Sequence, residues 1–80
     1  MRHIFRILAA PDPQALPRVC GMLAQRALTP ERLSARHRDG ALRIALTLDL
    51  DPATAGIIAA KLGEAVLVTQ VRVSARANGS

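Results

Sequence analysis

Aromatic side chains are almost missing from these 80 residues: Phe5 is the only one, and there is no tryptophan or tyrosine. A surface that stacks nucleic-acid bases needs exposed rings, and one phenylalanine cannot build it. Cysteine is limited to Cys20, which excludes an internal disulfide and any multi-cysteine metal site. No apolar run approaches the roughly 18 residues of a membrane span. The opening Met1-Arg2-His3-Ile4-Phe5-Arg6-Ile7 carries Arg6 inside its apolar stretch, which is not the pattern of a secretory signal. The expectation is a cytoplasmic protein with no membrane partner. The sequon Asn78-Gly79-Ser80 is then a chance match. The glycines are isolated, so no glycine-rich phosphate cradle exists.

What is present is aliphatic and basic. Half of the residues are apolar, chiefly Leu, Ile, Val and Ala, so the core is thin. A chain of this size hides only about 60% of the surface its unfolded form exposes, and association with a partner would help stabilise it. The net charge is +5, with Lys61 the only lysine. Attraction to an anionic partner is one reading. An Arg- and Ala-rich codon bias is the plainer one, and the scatter of the arginines favours it.

Along the chain, Arg2 to Ala9 reads as a strand with Phe5, Ile7 and Ala9 on one face and Ile4, Arg6 and Leu8 on the other. Asp12 and Pro13 supply an N-cap and a first helical position. Leu16, Val19, Cys20, Leu23, Ala24 and Ala27 then recur at helical spacing, with Pro17 tolerated in the first turn and Pro30 beyond the end. Arg32 to Arg38 suits a short strand with Leu33 and Ala35 inward. Asp39-Gly40 is a tight hairpin signal. Ala41 to Leu50 alternates strictly, with Leu42, Ile44, Leu46, Leu48 and Leu50 facing the core. Asp51-Pro52 repeats the capping pattern ahead of a second helix to about Leu62, with Ala55, Ile58, Ala59 and Leu62 inward and Gly63 as its C-terminal cap. Val66 to Ala75 is the last strand, with Leu67, Val71 and Val73 inward, and 77–80 form a frayed tail.

The order strand, helix, strand, strand, helix, strand predicts an α+β, ferredoxin-like βαββαβ domain over residues 1–76. Right-handed crossovers place both helices on one face of a four-stranded antiparallel sheet and leave the other face open. Catalytic chemistry is poorly supplied. His3 and His37 lack a carboxylate at an orienting spacing and read as solvated. Cys20 reads as a small buried hydrophobe on the helix stripe. Asp49 and Asp51 alone make a poor metal site, and Asp51 is better explained as a helix cap. Glu31 and Glu64 stand alone in loops. The expectation is therefore no enzyme, no cofactor and no metal.

Fold does not fix function, so the users of this architecture are separated by their sites. Metal-binding domains of this topology carry Cys-x-x-Cys in the first loop, where this chain has Pro11-Asp12-Pro13. RNA-recognition domains stack bases on the open face, where this chain offers Ile4, Arg6, Leu8, Arg43, Ala45 and Thr47. Nucleic acid is thereby disfavoured as a partner, with weak, salt-sensitive phosphate contact through Arg6, Arg43 and Arg72 left as an alternative.

The stretch Arg18-Val19-Cys20-Gly21-Met22-Leu23-Ala24-Gln25-Arg26, followed by Leu33, resembles the first helix and second strand of acetohydroxyacid synthase (acetolactate synthase) small subunits, which are ACT domains. The shared pattern is arginine, two apolar residues, glycine, two apolar residues, two variable residues and arginine. The resemblance implies a non-catalytic subunit that dimerises and binds the thiamine-diphosphate-dependent catalytic subunit. It implies that this subunit raises enzyme activity in branched-chain amino-acid synthesis, with valine or a related amino acid as feedback effector. It places effector contacts at Pro11, Asp12, Gln14, Ala15, Leu16 and Thr29. The family's loop has asparagine and, three residues on, glycine, where this chain has Pro11 and Gln14. Gln14 would crowd a ligand that glycine admits, and Pro11 offers no N–H. The helix-ending Arg-Gly is Arg26-Ala27 here. Weak or absent effector binding is expected. A free-standing ACT module that binds an amino acid at a dimer interface stays open as a second reading. The open face, with Ile4, Leu8, Ala45, Val66 and Val68 among Arg6, Arg43 and Arg72, suits a protein interface with an apolar centre and an arginine rim.

Overall fold

The structure, a computed structural model, describes residues 1–76, with only the backbone of Arg76. Its elements are β1 (Arg2–Ala9), α1 (Ala15–Gln25), β2 (Arg32–Arg38), β3 (Ala41–Asp49), α2 (Pro52–Gly63) and β4 (Val68–Arg76). They form the expected βαββαβ arrangement, a four-stranded sheet in the order β2-β3-β1-β4 with every neighbour antiparallel. The frayed tail expected at 77–80 lies outside the described residues.

Strand alternation decides which face is buried. Phe5 and Ile7 of β1 meet Leu46 and Ile44 of β3 across the ladder. These four join Leu48, Val19 and Leu23 of α1, and Ala55, Ile58 and Leu62 of α2 in one cluster. Both helices therefore cover the same face. Burial of a large aliphatic or aromatic side chain stabilises by about 1.5–3 kcal/mol, and Phe5 and Leu46 are completely enclosed. The β2–β3 turn has positive φ at Asp39 and Gly40 (53° and 73°), the geometry that keeps two-residue hairpins in line with strand twist.

Several expectations fail locally, each for a physical reason. Leu33 and Ala35 do lie on the helix-side face, paired with Leu46 and Ile44. Every residue of β2 is nonetheless exposed, because β2 is an edge strand and the helical layer stops short of it. Cys20 is exposed: the inward stripe narrows to Ala15, Val19 and Leu23. His3 is buried, not solvated, with its ring Nδ1 3.1 Å from the Met1 carbonyl. Glu31 is paired with Arg2 at 2.9 Å, and Glu64 lies 3.8 Å from Lys61.

The capping predictions shift as well. Asp12 does not cap α1. Its Oδ1 accepts the Gln14 N–H at 2.8 Å and its carbonyl accepts the Ala15 N–H at 3.0 Å, so Gln14 becomes the N-cap. Asp51 does occupy the N-cap of α2 ahead of Pro52, but its side chain makes no capping bond. Gly63 is the last residue of α2, not its cap, and Glu64 follows it.

The largest change of register is in β4. Leu8 pairs with Gln70 and Ala9 with Val68, so Thr69 is an extra residue in a bulge. Its hydroxyl donates to the Leu8 carbonyl at 3.0 Å. The bulge returns Val68 to the core side, where it packs against the cluster, instead of the open face. Val66 falls in the turn before the strand and is 87% exposed.

The end of α1 carries a local strain. The Leu28 N–H bonds to the Leu23 carbonyl (2.9 Å) and the Ala27 N–H to the Ala24 carbonyl (3.1 Å), the paired bonds of a Schellman motif. The residue at its turning point, Ala27, has φ 56°, where a Cβ costs roughly 1–2 kcal/mol. Glycine removes that cost and adds back about 0.5–1 kcal/mol of unfolded-state entropy. Ala27→Gly is expected to raise the melting temperature by a few degrees, measured by circular dichroism. An unchanged or lower value would show that Ala27 is not strained.

Candidate functional site

Two places carry side chains that could recognise something. The first is the open face of the sheet. Alternation on four strands brings Arg36 of β2 opposite Arg43 of β3, and Arg6 of β1 opposite Arg72 of β4. Leu8 pairs with Arg43, and Ala45 with Arg6, so short apolar side chains lie between the guanidinium stems. Arg6, Leu8, Arg36, Arg43, Ala45 and Arg72 line one shallow concavity of about 430 Å³, with Ser34 and Gln70 at its sides. The structure thus brings together five of the six residues expected at a partner interface. Ile4, the sixth, sits one rung on, between Thr47 and Ser74. It is half-buried and outside the concavity. Arg36 is outside the set expected from sequence: alternation faces it outward on β2, but grouping it with Arg43 takes the register of the ladder. The pairing across the Asp39-Gly40 turn would have placed it.

The described carboxylates lie outside this concavity. Asp49 Oδ1 lies 2.8 Å from the N-terminal ammonium, whose hydrogen bond holds that carboxyl below its ordinary range. Among the described residues, none of the ion pairs involves Arg6, Arg36, Arg43 or Arg72, and no acidic residue lines the concavity.

The second place is the β1–α1 loop. Pro11, Asp12 and Gln14 are exposed, Ala15 is buried and Leu16 half-buried. The loop's N–H groups are already committed. Ala10 donates to Leu67 at 2.8 Å, Asp12 to Ala10 at 2.8 Å and Ala15 to Asp12 at 3.0 Å. Gln14 donates to the Asp12 carboxylate, and Pro11 and Pro13 have no N–H. A ligand carboxylate finds no free backbone N–H from Ala10 to Ala15. Thr29 is exposed two residues before Glu31, which pairs with Arg2 at the start of β1. The loop follows the other end of that strand, so within one chain Thr29 is not brought to it. Among the described residues, no three His, Cys, Asp or Glu side chains gather in a way that could hold a metal ion, and no helix is long and apolar enough to cross a membrane.

Comparison with known proteins adds the family. The profile described as "ACT-like domain" matches residues 1–79. Among curated proteins, none matches the sequence. The fold is shared with the ACT domain from GTP pyrophosphokinase of Chlorobium tepidum: TM-score 0.83, 12% identity, covering 100% of this chain and 92% of that one. The acetolactate synthase small subunit from Thermotoga maritima superposes with TM-score 0.80 at 19% identity over 91% of this chain, which spans 47% of that subunit. The C-terminal domain of the MgtC protein from Mycobacterium tuberculosis gives TM-score 0.74 at 17% identity, covering 99% and 90% of the two chains. At these identities the structures share a fold and nothing finer.

Proposed function

Because the chain belongs to the ACT-like domain family, whose members are typically non-catalytic regulatory and ligand-binding modules, we propose that it is a regulatory small subunit of acetohydroxyacid synthase. In this reading residues 1–76 form a single regulatory unit in the cytoplasm. It is present as a homodimer, and it docks on the catalytic subunit and raises its activity in branched-chain amino-acid biosynthesis.

The observation that carries the reading is the uncovered open face, with Leu8 and Ala45 in its centre and arginines from all four strands around them. A thin core with one bare, mixed sheet face suits a chain completed by another.

Feedback by an amino acid is weak or absent in this reading, because the backbone N–H groups from Ala10 to Ala15 are already bonded within the chain. That same feature weighs against a free-standing amino-acid sensor.

The test is co-expression with a catalytic subunit, followed by gel filtration and an activity assay with and without valine. Co-elution and a severalfold rise in activity that valine does not reverse are expected. Unchanged elution and unchanged activity would refute the docking role, and valine reversal would refute the reading of Gln14.

A further inference from the structure

We propose that the arginine-lined concavity on the open face is a binding site for a compact small molecule bearing a polyphosphate group. The site lies on the face that the proposed docking would cover, so ligand and catalytic subunit would compete for it; titration of the free chain reads ligand binding independently of docking.

Each of the four strands contributes one arginine: Arg36, Arg43, Arg6 and Arg72 in the spatial order of the sheet. Neighbouring strands lie about 4.8 Å apart, so long guanidinium stems from all four can converge on one ligand. Two of the cross-strand pairs, Arg36 with Arg43 and Arg6 with Arg72, oppose like charges, an arrangement that destabilises a sheet. No carboxylate lines the concavity to offset them. A sheet that places like charges opposite each other twice in one concavity, while Asp49 on the same face sits beyond it and is paired with the N-terminal ammonium, is arranged for an anion from outside.

The chemistry of that anion follows from charge, size and floor. Four guanidiniums offer bidentate forks suited to phosphate oxygens. One carboxylate neutralises a single fork, whereas a triphosphate brings enough charge for all four. The volume of about 430 Å³ is that of a small-ligand site. The floor is Leu8 and Ala45 with no aromatic ring, so nothing holds the successive bases of a nucleic-acid strand.

The test is isothermal titration of the purified chain with inorganic tripolyphosphate, sulfate and a short oligouridylate. Saturable one-to-one binding of tripolyphosphate is expected, at least about tenfold tighter than either of the others. Arg6→Ala and Arg72→Ala should each weaken it by roughly tenfold or more, the loss of a charge-assisted fork. Arg72→Lys, which keeps the charge but not the fork, should lie between. The melting temperature of the two unliganded alanine variants should equal or exceed that of the parent, because each relieves a like-charge pair. No saturable heat, equal affinity for sulfate, tighter binding of the oligonucleotide, or undiminished binding by folded variants would each overturn the proposal.

Discussion

Phe5→Ala is expected to leave the chain largely unfolded at room temperature. Phe5 is fully enclosed, sits on a central strand, and pairs with Leu46 on one side and Val73 on the other. Truncating such a ring typically costs about 3–5 kcal/mol, from lost transfer energy and the cavity left behind. A chain of this size has few means of absorbing the loss, since a small lone core supplies roughly 3–5 kcal/mol in all. No second ring is available to fill the gap. Leu33→Ala removes a similarly large apolar group, but Leu33 is 39% exposed on an edge strand, and a loss under about 1 kcal/mol is expected. Urea titration of the two variants followed by far-ultraviolet circular dichroism separates them. Comparable losses would mean that the core is not centred on Phe5.

The contrast between those two leucine-or-larger positions also marks where sequence reading succeeds. The inward positions Ile44, Leu46 and Leu48 of β3 and the helical spacing of Val19 and Leu23 are properties of single elements, and they reach the structure intact, although Thr47 on the other face of β3 is buried as well. Leu33 has the right parity, yet it is exposed, because its burial depends on whether a helix extends over the sheet edge. Cys20 illustrates the same limit: the helix is correctly placed, but the width of its covered stripe is set by what lies beneath. Val68 lies on the core side, against the expectation from alternation, because one extra residue, Thr69, resets the period-two pattern. Nothing in Val66-Leu67-Val68-Thr69 announces a bulge. On the open face, Arg6, Arg43 and Arg72 follow from alternation alone. Their grouping with Arg36 needs the register of three ladders at once. The committed N–H groups of the β1–α1 loop were only half legible: the prolines are visible in sequence, but the Asp12-to-Gln14 bond is a matter of geometry.

Arg43→Glu is expected to move folding and docking in opposite directions, which makes it the sharpest test of the proposed interface. Arg43 is exposed on β3, opposite Arg36 on one side and Leu8 on the other. A glutamate there turns a like-charge pair into an attractive one. Each cross-strand pair is worth about 0.2–1 kcal/mol, so the isolated variant should be as stable as the parent or slightly more stable. At the proposed interface the same change removes a cation and presents an anion to a surface that complements arginines. Losing a desolvated charge contact typically costs about 2–5 kcal/mol, so affinity for the catalytic subunit should fall at least about 30-fold. Activation should be lost in parallel at concentrations that saturate the parent. Thermal melts of the free chain and surface plasmon resonance against an immobilised catalytic subunit give the two readings independently. A variant that melts normally and still docks with parental affinity would remove the open face from consideration as the docking surface. A clear loss of intrinsic stability would instead show that Arg36 and Arg43 do not oppose each other as the ladder places them.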